Sequence, residues 1–234
     1  MSNNIQIAIA GGNGKMGTLL SELIESKDCF EISGIYDPRN KSDKYITWEN
    51  YSDIEGDYLF VFVPANYLEG FVKNYVQYID KVKKGIVIGS SGEFTSQIKH
   101  WWVDRHEKTV CVIPNFSIGA MYQKLVARKV KNDFKNIDIT EKHHTKKADK
   151  PSGTSIDLVK SLNSQENIQI NSIRTDDVLA EQIVSFKNDF EIFNTEHIVT
   201  DRKAYLTGLN LVLDKLESLN GYYHGLEKIL NKRA

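Results

Sequence analysis

The stretch Ile5-Gln6-Ile7-Ala8-Ile9-Ala10-Gly11-Gly12-Asn13-Gly14-Lys15-Met16-Gly17 decides the reading of this chain. Ile5–Ala10, apolar except for Gln6, reads as a buried strand, and it runs straight into closely spaced glycines. Met16, Leu19, Leu20, Leu23 and Ile24 then recur at helical spacing. A strand, a glycine turn and a helix form the first half of a nucleotide-binding βαβ unit. Gly11 can take the positive φ of a tight turn, Gly14 lets the backbone approach a pyrophosphate, and Gly17 lets the helix pack close to the sheet. The free N–H groups at the helix start then face the phosphates. Asp37 lies 20 residues beyond Gly17, at the end of the second predicted strand, where a carboxylate can accept from a ribose diol. Arg39 suits a 2′-phosphate instead, so the pair is compatible with NADH and with NADPH. A strand–helix turn that binds nothing, followed by a solvated surface turn, is the plainer alternative.

Outward from this unit, strands are predicted at Phe30–Tyr36, Tyr58–Val63, Gly85–Ile88 and Thr109–Ile113, with helical patterns around Tyr67–Ile79 and Phe94–His106. Such alternation predicts a parallel sheet covered on both faces. A second small-residue turn, Gly89-Ser90-Ser91-Gly92, follows the Gly85–Ile88 strand, on the side where open α/β sheets bind ligands. After Pro114 the pattern changes. Ile118, Met121, Tyr122, Leu125 and Val126 make a helical stripe, and Ile137–Thr140 reads as a strand. A polar segment, Glu141–Pro151, precedes a helix carrying Ile156, Leu158, Val159 and Leu162. Strand-like runs follow at Ile170–Arg174, Glu181–Lys187, Phe190–Asn194 and His197–Thr200, with a turn signal at Asn188-Asp189. Lys203 to Leu219 is helical again. Two lobes are expected: residues 1–114 with 203–234, and residues 115–202.

Composition excludes several classes. Apolar residues are 41% and charged residues 26% of 234, which argues for a globular chain. Thirty basic against thirty-one acidic side chains give no global pull toward nucleic acid or membrane. The opening residues lack a basic n-region, and their apolar run Ile5–Ala10 is too short for a signal peptide or a membrane span. Cys29 and Cys111 sit in apolar stretches without metal-ligand spacing, so buried reduced thiols in a cytoplasmic protein are expected.

The second chemical signal is Glu141-Lys142-His143-His144-Thr145-Lys146-Lys147-Ala148-Asp149-Lys150, with Pro151-Ser152-Gly153-Thr154 opening the next helix. Backbone N–H groups at Gly153 and Thr154, at the positive end of a helix, suit a carboxylate. The lysines and His144 add positive charge, and an imidazole can exchange a proton near neutral pH. Together they describe an anion site joined to acid–base chemistry, with a small acidic substrate. A solvated basic loop is the bland reading, and the ordered Pro-Ser-Gly-Thr exit speaks against it. No third ligand stands near His143-His144, so no metal is expected.

These motifs, together with Pro114-Asn115-Phe116-Ser117-Ile118-Gly119 and the closing Gly221-Tyr222-Tyr223, resemble the dihydrodipicolinate (4-hydroxy-tetrahydrodipicolinate) reductase family over nearly the whole chain. The resemblance implies an α/β fold: a Rossmann-like dinucleotide-binding domain plus a smaller α+β domain with a mixed sheet for substrate binding and oligomerisation. It implies reduction of a cyclic unsaturated dicarboxylate by NADH or NADPH in lysine biosynthesis, by a cytoplasmic homotetramer whose lobes close a shared cleft. By motif position, His143 and Lys147 become the proton-transfer residues, and His144, Ser152, Gly153 and Thr154 hold substrate carboxylates. Gly11, Gly12, Asn13, Gly14, Lys15, Met16, Asp37, Arg39, Gly89, Ser90, Ser91, Ile113, Pro114, Asn115 and Phe116 line the nucleotide. The chain departs from the family pattern at Val61 and Val63 (Asp and Thr), Ser90-Ser91 (Thr-Thr), Lys150 (Ala), Ala180 and Gln182 (Gly and His) and Asp201 (Ser). A related dehydrogenase acting on another cyclic imine, and a nucleotide sensor without catalysis, are the alternatives. The retained His143 and Lys147 weigh against both.

Overall fold

The structure is a computed structural model that describes residues 4–37, 45–46, 54–63, 79–90, 98–99, 107–147, 149–162 and 168–231. The helical patterns predicted around Tyr67–Ile79 and Phe94–His106 lie mostly outside those residues, as do Arg39 and Ser91. Two compact units emerge, residues 1–116 with 209–234 and residues 117–208.

In the first unit, strands β1 (Ile5–Ala10), β2 (Phe30–Tyr36), β3 (Tyr45–Ile46), β4 (Tyr58–Val61), β5 (Gly85–Ile88) and β6 (Thr109–Val112) pair in the order β6-β5-β4-β1-β2-β3. Every pairing is parallel. This is the doubly wound order, whose direction of growth reverses between β1 and β4. All four residues of β4, β5 and β6 are buried, which is why each reads as an unbroken apolar run rather than an alternating one. Helix α1 (Lys15–Glu25) buries Gly17, Leu20 and Ile24, one stripe at helical spacing. A seventh strand, β11 (Tyr222–His224), adds in parallel beside β6. Three residues are too few for a periodicity, so the sequence carries no strand signal for it.

Two glycines in the turn answer specific contacts. Gly11 has φ +81°, and a Cβ there would lie 2.6 Å from the Phe62 carbonyl oxygen. A Cβ on Gly17 would lie 2.5–2.6 Å from the Gly12 Cα and the Gly11 and Gly12 oxygens. The helix therefore sits directly on the turn that starts it.

The second unit is a mixed sheet of β7 (Asn136–His143), β8 (Gln169–Arg174), β9 (Ala180–Lys187) and β10 (Ile192–Val199), ordered β10-β9-β7-β8. β7 and β8 are parallel, and the other two pairings are antiparallel. Helices α2 (Ile118–Val130) and α3 (Gly153–Leu162) supply Ala127, Leu158 and Leu162 to a core with Ile139, Val184 and Phe186. Phe134, Phe186 and Phe193 pack together there, with ring centroids 5.7–6.2 Å apart. α4 (Leu206–Lys215) follows this sheet in the chain, and most of it, with α5 (Leu226–Leu230), belongs to the first unit.

Three expectations are corrected. The runs Phe190–Asn194 and His197–Thr200 form one strand, β10, in unbroken register with β9. Its polar residues lie on an edge strand where both faces tolerate them, and Phe190 is fully exposed in the turn before it. β7 runs three residues into the segment read as a polar loop, because its inward-facing Glu141 finds hydrogen-bond partners. Cys29 is exposed in the turn between α1 and β2, and Cys111 alone is buried; both thiols are free.

Gly17→Ala tests the turn. Helix propensity alone favours alanine by about 1 kcal/mol, but its neighbours here are backbone atoms that cannot swing aside. The expected net result is a loss of roughly 1–3 kcal/mol, read as a lower urea midpoint; an unchanged midpoint contradicts the close packing.

Candidate active site

The carboxyl ends of the parallel strands gather most of the residues assigned to the nucleotide. Gly11 to Met16 follow β1, Asp37 follows β2, Gly89 and Ser90 follow β5, and Ile113 to Phe116 follow β6. Asp37 is fully buried and accepts a hydrogen bond from the Asn13 N–H at 3.1 Å, which ties the end of β2 to the turn. The Gly11 N–H donates to the Tyr36 carbonyl at 2.7 Å and the Gly14 N–H to the Gly11 carbonyl at 3.0 Å. Ser90 is buried and its hydroxyl donates to the Val63 carbonyl at 2.7 Å.

Phe62 is the one residue of Val61-Phe62-Val63 that keeps the family's Asp-Phe-Thr pattern, and although no role is assigned to it from the sequence it sits among these residues. Its backbone touches the Gly11 position, and its ring packs edge-on against Phe116 at 5.9 Å. A Cβ on Gly89 would lie 2.4 Å from that ring, so the glycine makes room for it. An apolar residue inside an apolar run carries no periodic signal that sets it apart.

The turn fits a dinucleotide on its own structure. Gly14 caps α1 without any side-chain hydrogen bond, and no acidic residue stands in the first helical turn. Backbone N–H groups at that end are therefore open to an anion. The buried Asn13 Nδ2 has no hydrogen-bond partner among the described residues, a donor left for a bound group.

The second unit builds its site on β7. Residues 139, 141 and 143 alternate onto the face covered by α2 and α3. Register then places Glu141 between Gln182 of β9 and Ser172 of β8, and His143 between Ala180 and Arg174. Glu141 is fully buried. Both of its oxygens accept from the Ser152 N–H, at 3.0 and 3.1 Å, and Oε2 accepts from the Ser155 hydroxyl at 2.6 Å. The Arg174 guanidinium stands 3.5 Å from Oε1 and also donates to the Asp149 carbonyl. Gln182 Nε2 donates to the Ser155 hydroxyl at 2.6 Å, so this departure from the family pattern lies within the same cluster.

That carboxylate organises the start of α3. The Lys150–Pro151 peptide is cis. Ser152 is buried and caps the helix, its hydroxyl accepting from the Ser155 N–H at 3.2 Å. Its polar atoms are thus spent inside the turn. The Gly153 N–H donates to Asp149 Oδ2 at 3.2 Å, and Asp149 Oδ1 pairs with Lys147 Nζ at 2.7 Å. Thr154 occupies the second helical position.

The His143 side chain is largely buried, with Nδ1 3.9 Å from Glu141 Oε2 and no hydrogen-bond partner among the described residues. Burial holds its pKa below the ordinary imidazole value; Glu141 pulls it up, while the Lys147 and Arg174 charges push it further down. For Glu141 itself burial raises the pKa, but the hydrogen bonds from Ser152 and Ser155 prevail and the carboxyl stays below its usual value. His144 accepts from the Lys146 N–H through Nδ1 at 3.1 Å, so its proton sits on Nε2, 3.4 Å from Asp176. Glu141, quoted within the motif, and Arg174 have no role assigned from the sequence. A lone arginine at the end of a strand carries no signal until the register sets it beside His143.

Among the described residues no group of three His, Cys, Asp or Glu side chains could hold a metal ion, and no helix is long and apolar enough to cross a membrane.

Residues 119–230 match the family model described as "Dihydrodipicolinate reductase, C-terminus", and this region contains the Glu141 cluster. The 4-hydroxy-tetrahydrodipicolinate reductase of Legionella pneumophila is 28% identical over 96% of this chain and 99% of its own. That of Gloeothece citriformis is 32% identical over 62% of each chain. The solved dihydrodipicolinate reductase of Paenisporosarcina, described as dipicolinate-bound, shares the fold with a TM-score of 0.75, at 20% identity, over 97% of this chain and all of its own. A glycine turn at the switch point of a doubly wound sheet, and a buried glutamate ordering a Pro-Ser-Gly-Thr helix start, accompany relatives of one name that match over nearly the full length: the chain is similar from end to end to proteins of the dihydrodipicolinate reductase family, and residues 119–230 match that family's C-terminal model.

Proposed function

We propose that this protein reduces 4-hydroxy-tetrahydrodipicolinate (dihydrodipicolinate) to tetrahydrodipicolinate in the diaminopimelate route to lysine, using a pyridine nucleotide. The observation that carries this reading is the joining, in one short segment, of a proton-exchanging pair, His143 and Lys147, to the ordered helix start at Gly153. Full-length relatives bearing the reductase name point the same way.

A reduced nicotinamide nucleotide, when bound, supplies the hydride equivalent. Gly11 to Met16, Asp37, Arg39, Gly89, Ser90, Ser91 and Ile113 to Phe116 hold it in this reading, with the uncapped start of α1 taking its phosphates. NADH and NADPH are both accommodated, since Asp37 suits a ribose diol and Arg39 a 2′-phosphate.

The protein's own residues supply the proton and hold the carboxylates. His144, Gly153 and Thr154 bind carboxylate oxygens, with Ser152 fixing the turn beneath them. Lys147 Nζ donates a proton to the reduced ring. His143 keeps its own proton on Nδ1, facing the Glu141 carboxylate, and exchanges a proton through Nε2. Glu141 stabilises the imidazolium that forms when Nε2 takes a proton, and its burial keeps that attraction from being screened.

The setting proposed is a cytoplasmic homotetramer. Two free thiols suit a reducing compartment. Ile173, Ile192 and Ile198 are exposed on the sheet face opposite α2 and α3, interspersed with the Lys142–Glu181 and Lys187–Asp138 pairs, a mixed face that a second copy covers in this reading.

Oxidation of each nucleotide in the presence of dihydrodipicolinate synthase product tests the activity; no substrate-dependent oxidation with either refutes it. His143→Gln and Lys147→Ala are each expected to cut turnover by about 10²–10⁴-fold while NADH affinity holds, and unchanged turnover in both removes the proton-transfer assignment. Glu141→Gln deletes the neighbouring charge on β7 that raises the His143 pKa, so the imidazole should titrate at lower pH than in the wild type. An NMR titration showing an equal or higher value contradicts the pairing. Because the fold keeps His143 neutral, wild-type stability should be full above the ordinary imidazole pKa and fall as pH drops from there toward the folded value. Light scattering should give four copies, and Ile198→Lys should reduce that number.

A further inference from the structure

The groups proposed to receive the substrate already hold a carboxylate. Asp149 Oδ1 lies 2.7 Å from Lys147 Nζ, and Asp149 Oδ2 accepts from the Gly153 N–H at 3.2 Å. One side chain thus bridges an ammonium and the first backbone donor of α3, the two chemistries that a substrate carboxylate needs. We propose that Asp149 is an internal stand-in for a substrate carboxylate: it holds Lys147 and the Gly153 N–H in place in the free protein and leaves them when the dicarboxylate enters. This rests on the substrate reading above and adds a competitor to it.

Three features separate Asp149 from a fixed brace. Its side chain is about half exposed, at 51%, so the carboxylate can turn into water without a large desolvation change. Glu141, in contrast, is fully enclosed and holds the same turn from beneath through the Ser152 N–H. The turn therefore keeps its anchor when Asp149 departs. Ser152 independently caps α3 through the Ser155 N–H, so the helix start does not depend on Asp149 either. Among the described residues, what Asp149 provides is a counter-charge for Lys147 and an acceptor for Gly153. The arrangement keeps the donor lysine in its place between turnovers, at the expense of some substrate affinity.

A stand-in and a brace predict opposite signs. The side-chain amide introduced by Asp149→Asn can still accept from the Gly153 N–H but no longer pairs with an ammonium. This variant should therefore bind pyridine-2,6-dicarboxylate more tightly than the wild type. The expected gain is about two- to fivefold in Kd by calorimetry, the scale of a half-exposed ion pair, with KM for the substrate falling in the same direction. Asp177→Asn removes an exposed carboxylate hydrogen-bonded to Thr175 in the same region and controls for general charge; it should change Kd by less. Equal or weaker binding by Asp149→Asn, or an equal gain in the Asp177 control, overturns the proposal. A crystal structure of the wild type with the same dicarboxylate gives a test that does not depend on a variant folding. Asp149 should there have left both Lys147 and Gly153, and an intact 2.7 Å pair refutes the displacement. Failure of the wild type to bind this dicarboxylate at all would instead overturn the substrate reading, and the stand-in with it.

Discussion

A carboxylate sealed inside the second unit is the constraint on which its site depends. Glu141 is fully buried, and a buried charge persists only where hydrogen bonds and an opposite charge compensate the lost water. It obtains these from the Ser152 N–H, the Ser155 hydroxyl and the Arg174 guanidinium, which come from the turn before α3, from α3 itself and from β8. One residue on β7 thereby aligns the helix start that presents Gly153 and Thr154. The same oxygen that takes the Ser155 hydroxyl faces His143 Nδ1. Order in the turn before α3 and the upward pull on the His143 pKa thus share one source.

The first unit depends on steric rather than electrostatic closeness. Its turn must pass between β2 and the end of β4 while supporting α1, and the Gly11 and Gly17 positions leave no space for a side chain. Asp37 ties the turn to β2 through the Asn13 N–H, and the N-cap residue Gly14, having no side chain, leaves the helix N-terminus without a side-chain cap. Phe62 closes the neighbouring edge against Phe116 and the space left by Gly89. The departures from the family pattern at Val61 and Val63 fall here, and both valines are buried, so the change is accommodated by packing. At Gln182 the departure is polar and is accommodated by a hydrogen bond to Ser155.

Much of the architecture was legible because buried parallel strands and amphipathic helices write themselves into local pattern. Ile5–Ala10, Gly85–Ile88 and the α1 stripe are apolar at the spacing their elements require. Legibility failed where an element was short or its face mixed. β11 has three residues, β10 carries polar side chains along an open edge, and the end of β7 looked like a loop because Glu141 and His143 are polar. Nothing local says that a glutamate is inward-facing; its partners come from 11 to 33 residues away.

The sequence by itself determined the fold class and the residue types of the site, because turn glycines, strand periodicity and the His-His-to-Pro-Ser-Gly-Thr segment are properties of contiguous residues. Only the tertiary structure decided which polar groups are spent and which are available. It turned Ser152 inward as a cap, seated Asp149 on Lys147 and the Gly153 N–H, and brought Arg174 beside Glu141. Hydrogen bonds between elements depend on strand register and helix placement, and neither distance nor burial can be read from order along the chain.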